Sequence, residues 1–493
     1  MEVVEKHAIA GVQARRIVAV LWLIVAIAIC LKLLLDIVRQ SFFLDGLIYA
    51  SVARNLAEGS GTFWAPQFSR TLFSVFAEHP PLMMWLQSFL FRLFGDTVIV
   101  DKLFSLATFA VTLSVFAITW RRLNNTDSDV LRGIPVAMAF MIIAGRFSWG
   151  FANGLLENLL IVFTSIAILL VVSAYDQQQF RRRLGLIAGA GLLTALALMT
   201  KGPVGLFPLA APAIYWVSFG RPTFATAVLD TIVIGAVIVL VFAILWTFEG
   251  PRGAIERYVS VQLLTSLSGE RGHNGAGFAA IRTFLRVNAY PVLLTTAVLF
   301  FGRKVRRPDD EGLRRGRWQR IVFFSLIGFS ASLPLLASPR VSTFYFNPSL
   351  PYFSAALAVS CVPTLWRILE ALPDRIILVS QVVLAGALGL SLLFVTFQFG
   401  QRSQDASTIE NAEKVASIVC SKVPCDATVS TCGSVYTDWL LHAYMQRYFR
   451  VALADPAATP GEYLLASDDC AIDAFGYQKT NVDLAEYRLF RRK

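Results

Sequence analysis

The chain has 493 residues, of which 56% are hydrophobic and only 16% charged, and its mean hydropathy is +0.60. Soluble domains carry about a quarter charged residues, so this composition excludes a soluble enzyme and predicts a polytopic membrane protein. The formal net charge is +11, yet residues 398–493 hold 10 Lys/Arg against 12 Asp/Glu, so the whole basic excess lies among the apolar runs. That distribution is a topology signal, and no nucleic-acid partner is expected.

The first apolar run, roughly 17–38, follows Arg15 and Arg16 and has no small-residue cleavage site after it. It reads as a first span with a cytoplasmic N-terminus rather than a signal peptide. Further runs near 98–120, 133–147, 154–174, 184–200, 203–219, 227–247, 287–302, 320–337, 343–365 and 376–397 bring the expectation to about 11 transmembrane helices. The loops then placed inside carry Arg121 and Arg122, Arg181 to Arg183, Arg221, and seven basic residues within 303–319. Short Lys/Arg-rich loops are retained in the cytoplasm, so the bias supports this topology. Residues 1–397 form the expected membrane domain, and the odd count leaves 398–493 outside as a small exported α/β domain.

The candidate chemistry lies on the outer face. In the first outer loop, Tyr49, Val52, Ala53 and Leu56 recur at helical spacing ahead of Gly59, which predicts an amphipathic interfacial helix with Asp45 at its start. A carboxylate there either caps the helix or faces a pocket as a general base, and local sequence does not separate the two. Glu78-His79-Pro80-Pro81 then introduces an apolar segment, 82–94, that is short for a span and is placed flat or obliquely on the outer surface. Glu78 and His79 are positioned to meet a lipid phosphate or, as the weaker option, a divalent metal.

Glu157 stands at the outer start of an apolar run, where an unpaired acid is expensive to bury. It is either functional or held by Arg146 and Asn153 in a loop-stabilising contact. Lys201 sits in Thr200-Lys201-Gly202-Pro203, at the outer junction of two apolar runs. The positive-inside rule predicts few bases there, so a compact charge suited to phosphate competes with plain snorkelling to a headgroup. Arg257, Arg271 and His273 in the 249–286 loop, and Arg340 in 338–352, are further candidates for an anionic head, while Tyr345 and Tyr352 read equally as interfacial anchors.

Cys420, Cys425, Cys432 and Cys470 fall in the exported segment and predict one or two disulfides, with three pairings open if all four are used. A metal site is disfavoured there because His442 completes no regular ligand pattern. In this segment Val415–Val419, Val429–Thr431, Leu464–Ala466 and Tyr487–Phe490 read as short strands, and Tyr436–Tyr448 as a helix.

Taken together, Asp45…Tyr49…Ala53-Arg54-Asn55-Leu56…Gly59, Glu78-His79-Pro80-Pro81-Leu82, Leu93-Phe94-Gly95, Glu157, Thr200-Lys201-Gly202-Pro203, and Tyr345 with Pro348 and Pro351 make a familiar series. The chain resembles the lipid-linked-sugar-dependent glycosyltransferases of the GT-C superfamily. The likeness is to the bacterial branch related to protein O-mannosyltransferases and the lipid A aminoarabinose transferase, and it covers roughly residues 40–355. It implies a donor sugar on a polyprenyl monophosphate such as undecaprenyl phosphate, and an acceptor that is a lipid, a glycan or a protein. It implies Asp45 as the first-loop acid that activates or orients the acceptor hydroxyl, Glu157 as the second-loop acid, and Lys201 as a contact of the donor phosphate. His79 stands where the aminoarabinose transferases have lysine, a departure that favours a broader hexosyl or mannosyl-type relative. No metal or other cofactor is required by this chemistry, and the expected compartment is the bacterial inner membrane with a periplasmic C-terminal domain. The competing class is a transporter or lipid flippase, which predicts internal repeats or helices broken at mid-depth; the candidate residues cluster on the outer face instead.

Overall fold

A computed structural model describes residues 2–264, 277–305, 310–338, 341–420, 425–458, 461–470 and 476–493. Among them, nine helices are long and apolar enough to cross a membrane. They comprise α1 (Val12–Val38), α4 (Val98–Asn124), α7 (Leu156–Ala174), the continuous helical run Phe180–Phe219, α10 (Phe224–Trp246), α12 (Phe278–Val305), α13 (Glu311–Ala337), α14 (Thr343–Glu370) and α15 (Asp374–Phe397).

Nine is two fewer than the eleven apolar runs predict, and the difference arises at two places. The run near 133–147 yields only a ten-residue helix, α5 (Ile134–Ile143), followed by a six-residue turn of helix, α6 (Phe147–Ala152). The runs 184–200 and 203–219 are not separate long helices. They are α8 (Phe180–Lys201), a 3-10 segment (Gly202–Ala210) and α9 (Ala211–Phe219) in unbroken succession. Gly202 has φ +71°, which turns the chain, and Gly205 lies so close to α8 that a Cβ there would meet the carbonyl group of Ala197 at 2.7–2.9 Å. The segment therefore folds back along α8, and the Tyr215 ring of α9 comes within 4.7 Å of the Tyr175 ring at the end of α7.

One end of the bundle is basic and ion-paired. Arg16 pairs with Asp374, Arg122 with Asp176 at 3.4 Å, Arg183 with Asp230 at 3.2 Å, and Arg317 with Asp127 at 2.6 Å. These are the arginines read above as topogenic. The opposite end carries the loop helices α2 (Leu44–Ala57) and α3 (Leu82–Phe94) with a short hairpin, β1 (Gly61–Thr62) and β2 (Ala65–Pro66), between them. Pro81 occupies the N-cap of α3, and Gly95 at φ +76° ends it, the asymmetry expected of Pro before and Gly after a helix.

The chain after residue 397 forms a helix, α16 (Ala406–Val419), and a five-stranded mixed sheet in the order β4-β3-β5-β7-β6. Its strands are β3 (Thr428–Cys432), β4 (Ala452–Ala454), β5 (Tyr463–Ala466), β6 (Tyr477–Lys479) and β7 (Arg488–Arg492). β3 runs parallel to β4 and β5, and β7 antiparallel to β5 and β6. The expected strand at Val415–Val419 is instead the last turn of α16, whose inward residues Ile409, Ala412, Val415 and Ala416 recur at helical rather than alternating spacing. The disulfides are Cys420–Cys425 and Cys432–Cys470, one of the three open pairings.

This C-terminal core is not sealed from the rest. It includes Phe42 and Leu47 from the start of α2, whereas Tyr49, Ala50, Val52 and Ala53 on the other side of α2 pack with α3, Phe68 and Phe76. Helix α2 is thus buried on two faces, which is why nearly every residue from Gly46 to Leu56 is inaccessible and why its amphipathic character is weak.

Candidate functional site

Asp45 lies in the first turn of α2, one position beyond Leu44; the cap position belongs to Phe43, whose backbone N–H is taken by Asn153 Oδ1 at 2.7 Å. The capping alternative for Asp45 therefore falls, and its carboxylate sits at the positive end of the helix dipole, half-buried. Gly46 packs so tightly against the Asn153 carbonyl and the Phe42 ring that no larger side chain fits beside Asp45.

One turn on, Tyr49 is buried at 4% exposure. Burial, reinforced by the negative charges of Asp45, Glu157 and Glu78, holds its phenol well above the usual range, so it stays protonated and can act only as a neutral hydrogen-bonding group. Asp45, Glu78, Glu157 and Tyr345 all lie near enough to act on this one tyrosine, and the His79 ring meets Tyr49 edge-on at 5.7 Å. Five of the predicted residues, from four separate stretches of chain, converge on a residue contributed by α2.

Glu157 is in the first turn of α7 and only 2% exposed, and its partner is Lys201, not Arg146. Arg146 instead lies over the Trp149 ring at 4.7 Å. Lys201 Nζ also faces the Tyr345 ring at 4.8 Å and the Phe344 ring at 5.8 Å, an aromatic flank that favours a cation. Gly202 next to it is required twice over, by its positive φ and by the Tyr258 hydroxyl that occupies the space of a Cβ. Burial pushes that Tyr258 phenol up to about 12.

Beside Lys201 opens a cleft of about 180 Å³, lined mainly by apolar side chains, among them Trp64, Pro80, Pro81, Leu198, Phe242 and Ile255. Arg257 stands near it on α11 (Glu249–Tyr258) and donates to the Trp64 carbonyl at 3.1 Å, which ties the hairpin to that helix. Arg271, His273 and Arg340 lie outside the described residues. Tyr352 is no interfacial anchor: it is 5% exposed inside α14 and points its hydroxyl to Ser165 at 3.5 Å. Among the described residues no group of three or more His, Cys, Asp and Glu is placed to hold a metal ion.

A second constellation escaped the sequence reading. Arg447, 2% exposed, bonds Asp101 at 3.0 Å, Asp96 at 2.7 Å and the Thr97 carbonyl at 3.1 Å. Arg54, 1% exposed, donates to the Gln446 and Arg447 carbonyls at 2.9 and 3.0 Å; burial pulls it down to about 10, still protonated at neutral pH. These contacts pin the C-terminal domain onto α2 and the start of α4. A signal was present, because Asp101 is an acid inside an apolar run and must have a partner.

Residues 78–246 match the family described as dolichyl-phosphate-mannose-protein mannosyltransferase. A search of curated protein sequences gives no match. Among solved structures, ArnT from Cupriavidus metallidurans in the apo state is similar at a TM-score of 0.62 with 14% identity, covering 95% of this chain and 97% of that one. The same protein bound to undecaprenyl phosphate gives 0.60 with 15% identity over the same shares. The apo Archaeoglobus fulgidus oligosaccharyltransferase gives 0.55 with 12% identity, covering 91% of this chain and 69% of that one. At these identities the likeness is one of architecture: the chain shares the GT-C fold of ArnT and of the Archaeoglobus fulgidus oligosaccharyltransferase.

Proposed function

We propose that this protein transfers a sugar from a polyprenyl-monophosphate carrier to an acceptor hydroxyl at the outer face of a bacterial inner membrane. The observation that carries this reading is the gathering of Asp45, Glu78, His79, Glu157 and Tyr345 about Tyr49, with Lys201 paired to Glu157 and facing the Tyr345 ring, beside an apolar cleft at the outer end of the bundle. Apolar walls suit an isoprenoid tail and a lone lysine at their edge suits its phosphate. The binding of undecaprenyl phosphate by ArnT, a protein of the same fold, supports the choice of carrier. The basic end of the bundle then faces the cytoplasm with the N-terminus. The disulfide-bonded segment 398–493 is periplasmic, against a catalytic membrane part of residues 1–397.

The reaction is a direct displacement with inversion. The acceptor oxygen attacks the anomeric carbon and loses its proton to the Asp45 carboxylate. The bond from that carbon to the phosphate oxygen breaks, and polyprenyl phosphate leaves as an anion. Lys201, held at the cleft edge by Glu157 before the donor arrives, swings its ammonium toward the leaving phosphate and stabilises the charge that develops there. Glu78, His79 and Tyr345 border the sugar and the phosphate, and no step needs a metal.

The test is transfer from purified polyprenyl-phosphate sugars to a membrane acceptor extract, comparing the intact protein with folded Asp45→Asn. Loss of transfer in the variant is expected. Equal transfer by both would remove Asp45 from the mechanism.

A further inference from the structure

A second cleft, of about 440 Å³, lies where α2 and the 60–70 loop face the C-terminal domain. Its volume is that of a ligand site rather than of a trapped water. Its lining is polar throughout. Asn55, Gln67 and Gln446 contribute carboxamides and two serines contribute hydroxyls. The charges it contains cancel in pairs, Arg450 with Glu58 and Arg70 with Asp426 at 3.3 Å. Gln446 is 7% exposed, and its side-chain oxygen is buried with no hydrogen-bond partner. An acceptor left in that state is unsatisfied inside the fold, and a ligand or a water reaching it would supply the missing hydrogen bond.

The cleft is also held open by fixed walls. Arg54 clamps the Gln446 carbonyl from α2, Thr71 Oγ1 donates to the Leu453 carbonyl at 2.8 Å, and Arg70 donates to the Asp426 carbonyl. A site assembled in advance from carboxamides, hydroxyls and neutralised ion pairs matches a ligand dense in hydroxyl groups and without net charge. An anion would find each arginine already paired. A polypeptide would bring apolar side chains to a lining that buries none.

We propose that this seam cleft binds a neutral oligosaccharide portion of the acceptor. The inference rests on the transfer reading above and adds the acceptor class to it. Asp45 and Asn55 stand at opposite ends of α2, about 15 Å apart along its axis. An acceptor held by the cleft must span that distance to bring a hydroxyl to Asp45, which selects an oligosaccharide over a single sugar.

The experiment is binding of the full-length protein, in detergent, to an array of short neutral oligosaccharides, anionic oligosaccharides and peptides, with polyprenyl-phosphate binding measured on the same preparation. Neutral oligosaccharides should bind. Affinity should fall about tenfold or more in Gln446→Ala, the loss of one well-placed hydrogen bond. Because Gln446 is buried, Ser60→Trp is the second variant: Ser60 is an exposed residue of the lining, and the indole would fill the cleft without disturbing the core. Binding confined to anionic glycans or peptides, binding to nothing, or neutral binding unchanged in Ser60→Trp would each overturn the proposal. If polyprenyl phosphate binds and the neutral glycans do not, the cleft inference alone fails; if the glycans bind and polyprenyl phosphate does not, it is the donor reading that fails.

Discussion

At the basic end of the bundle Asp127 accepts two hydrogen bonds from Arg317 at 2.6 and 3.2 Å, one from Arg320 at 3.2 Å, and one from the Val130 N–H at 3.2 Å. Burial alone would raise this carboxyl, but the Arg317 hydrogen bonds hold it below the usual carboxylate range. At the opposite end Glu157 is as deeply buried, yet among the described residues its ion pair is with one lysine, itself 15% exposed and flanked by aromatic faces and an open cleft. Both are buried ion pairs in the same bundle. The first is a closed set in which a planar fork uses up the acceptor sites, and the second is a one-point contact whose cation can change partner without leaving its place. The geometry thus separates a many-contact pair that ties helices together from a one-point pair at the edge of a cleft.

The largest effect expected is on turnover. Asp45→Asn should reduce transfer by about 10²–10⁴, the usual contribution of a positioned general base, with thermal unfolding little changed. Arg317→Ala should do the reverse: removing one partner of a buried pair costs about 3–5 kcal/mol, read as a lower melting temperature in detergent. If Arg317→Ala melts like the wild type, the closed network does not carry the basic end and the contrast between the two ends collapses.

A double replacement sharpens the same contrast. Glu157→Gln with Lys201→Met deletes both charges at nearly constant volume, so stability should hold. The affinity for polyprenyl phosphate should fall about tenfold to a hundredfold, the worth of one charge-assisted hydrogen bond at about 1.5–3 kcal/mol. Unchanged affinity, measured by titration with polyprenyl phosphate, would make Lys201 a structural residue like Arg317.

How much of this was legible in the sequence follows from which interactions are local. The helical runs, the topogenic arginines and the pairing-competent cysteines are written in short windows, and those windows predicted the membrane class and the exported domain. The site residues Asp45, Glu78, His79, Glu157, Lys201 and Tyr345 were picked singly, as charges or rings where a membrane chain does not ordinarily place them. Their convergence on Tyr49 was not legible, because it depends on α2 being wedged between the bundle and the C-terminal domain. The 203–219 run, which does not become a long helix of its own, failed for a similar reason. Hydropathy registers composition, and it does not register that Gly202 and Gly205 let the chain turn and press back on α8. The Arg447 seam joins residues almost 350 positions apart, and Asp101 offered only the hint that something must neutralise it.

The smallest expected effect concerns that seam and tests whether it belongs with the closed network or the open one. Asp96 receives Arg447 at 2.7 Å and Arg450 at 3.1 Å, with Arg54 at 3.8 Å. Burial would raise its carboxyl, but Arg447, Arg54 and Arg450 together hold it below its ordinary value of about 3.9. A carboxyl depressed in the folded state adds stability that is present above its unfolded pKa and is lost as the pH falls through the folded one. The wild type should therefore melt above Asp96→Asn throughout pH 5–8, with the gap closing only below about pH 4, as the pH falls through the depressed pKa of the folded carboxyl. A gap that stays constant down to pH 3 would mean that Asp96 acts through shape and not through charge. A gap that closes already between pH 7 and 5 would place the titrating group elsewhere in the seam, with Glu58, whose carboxyl burial raises, as the first residue to replace.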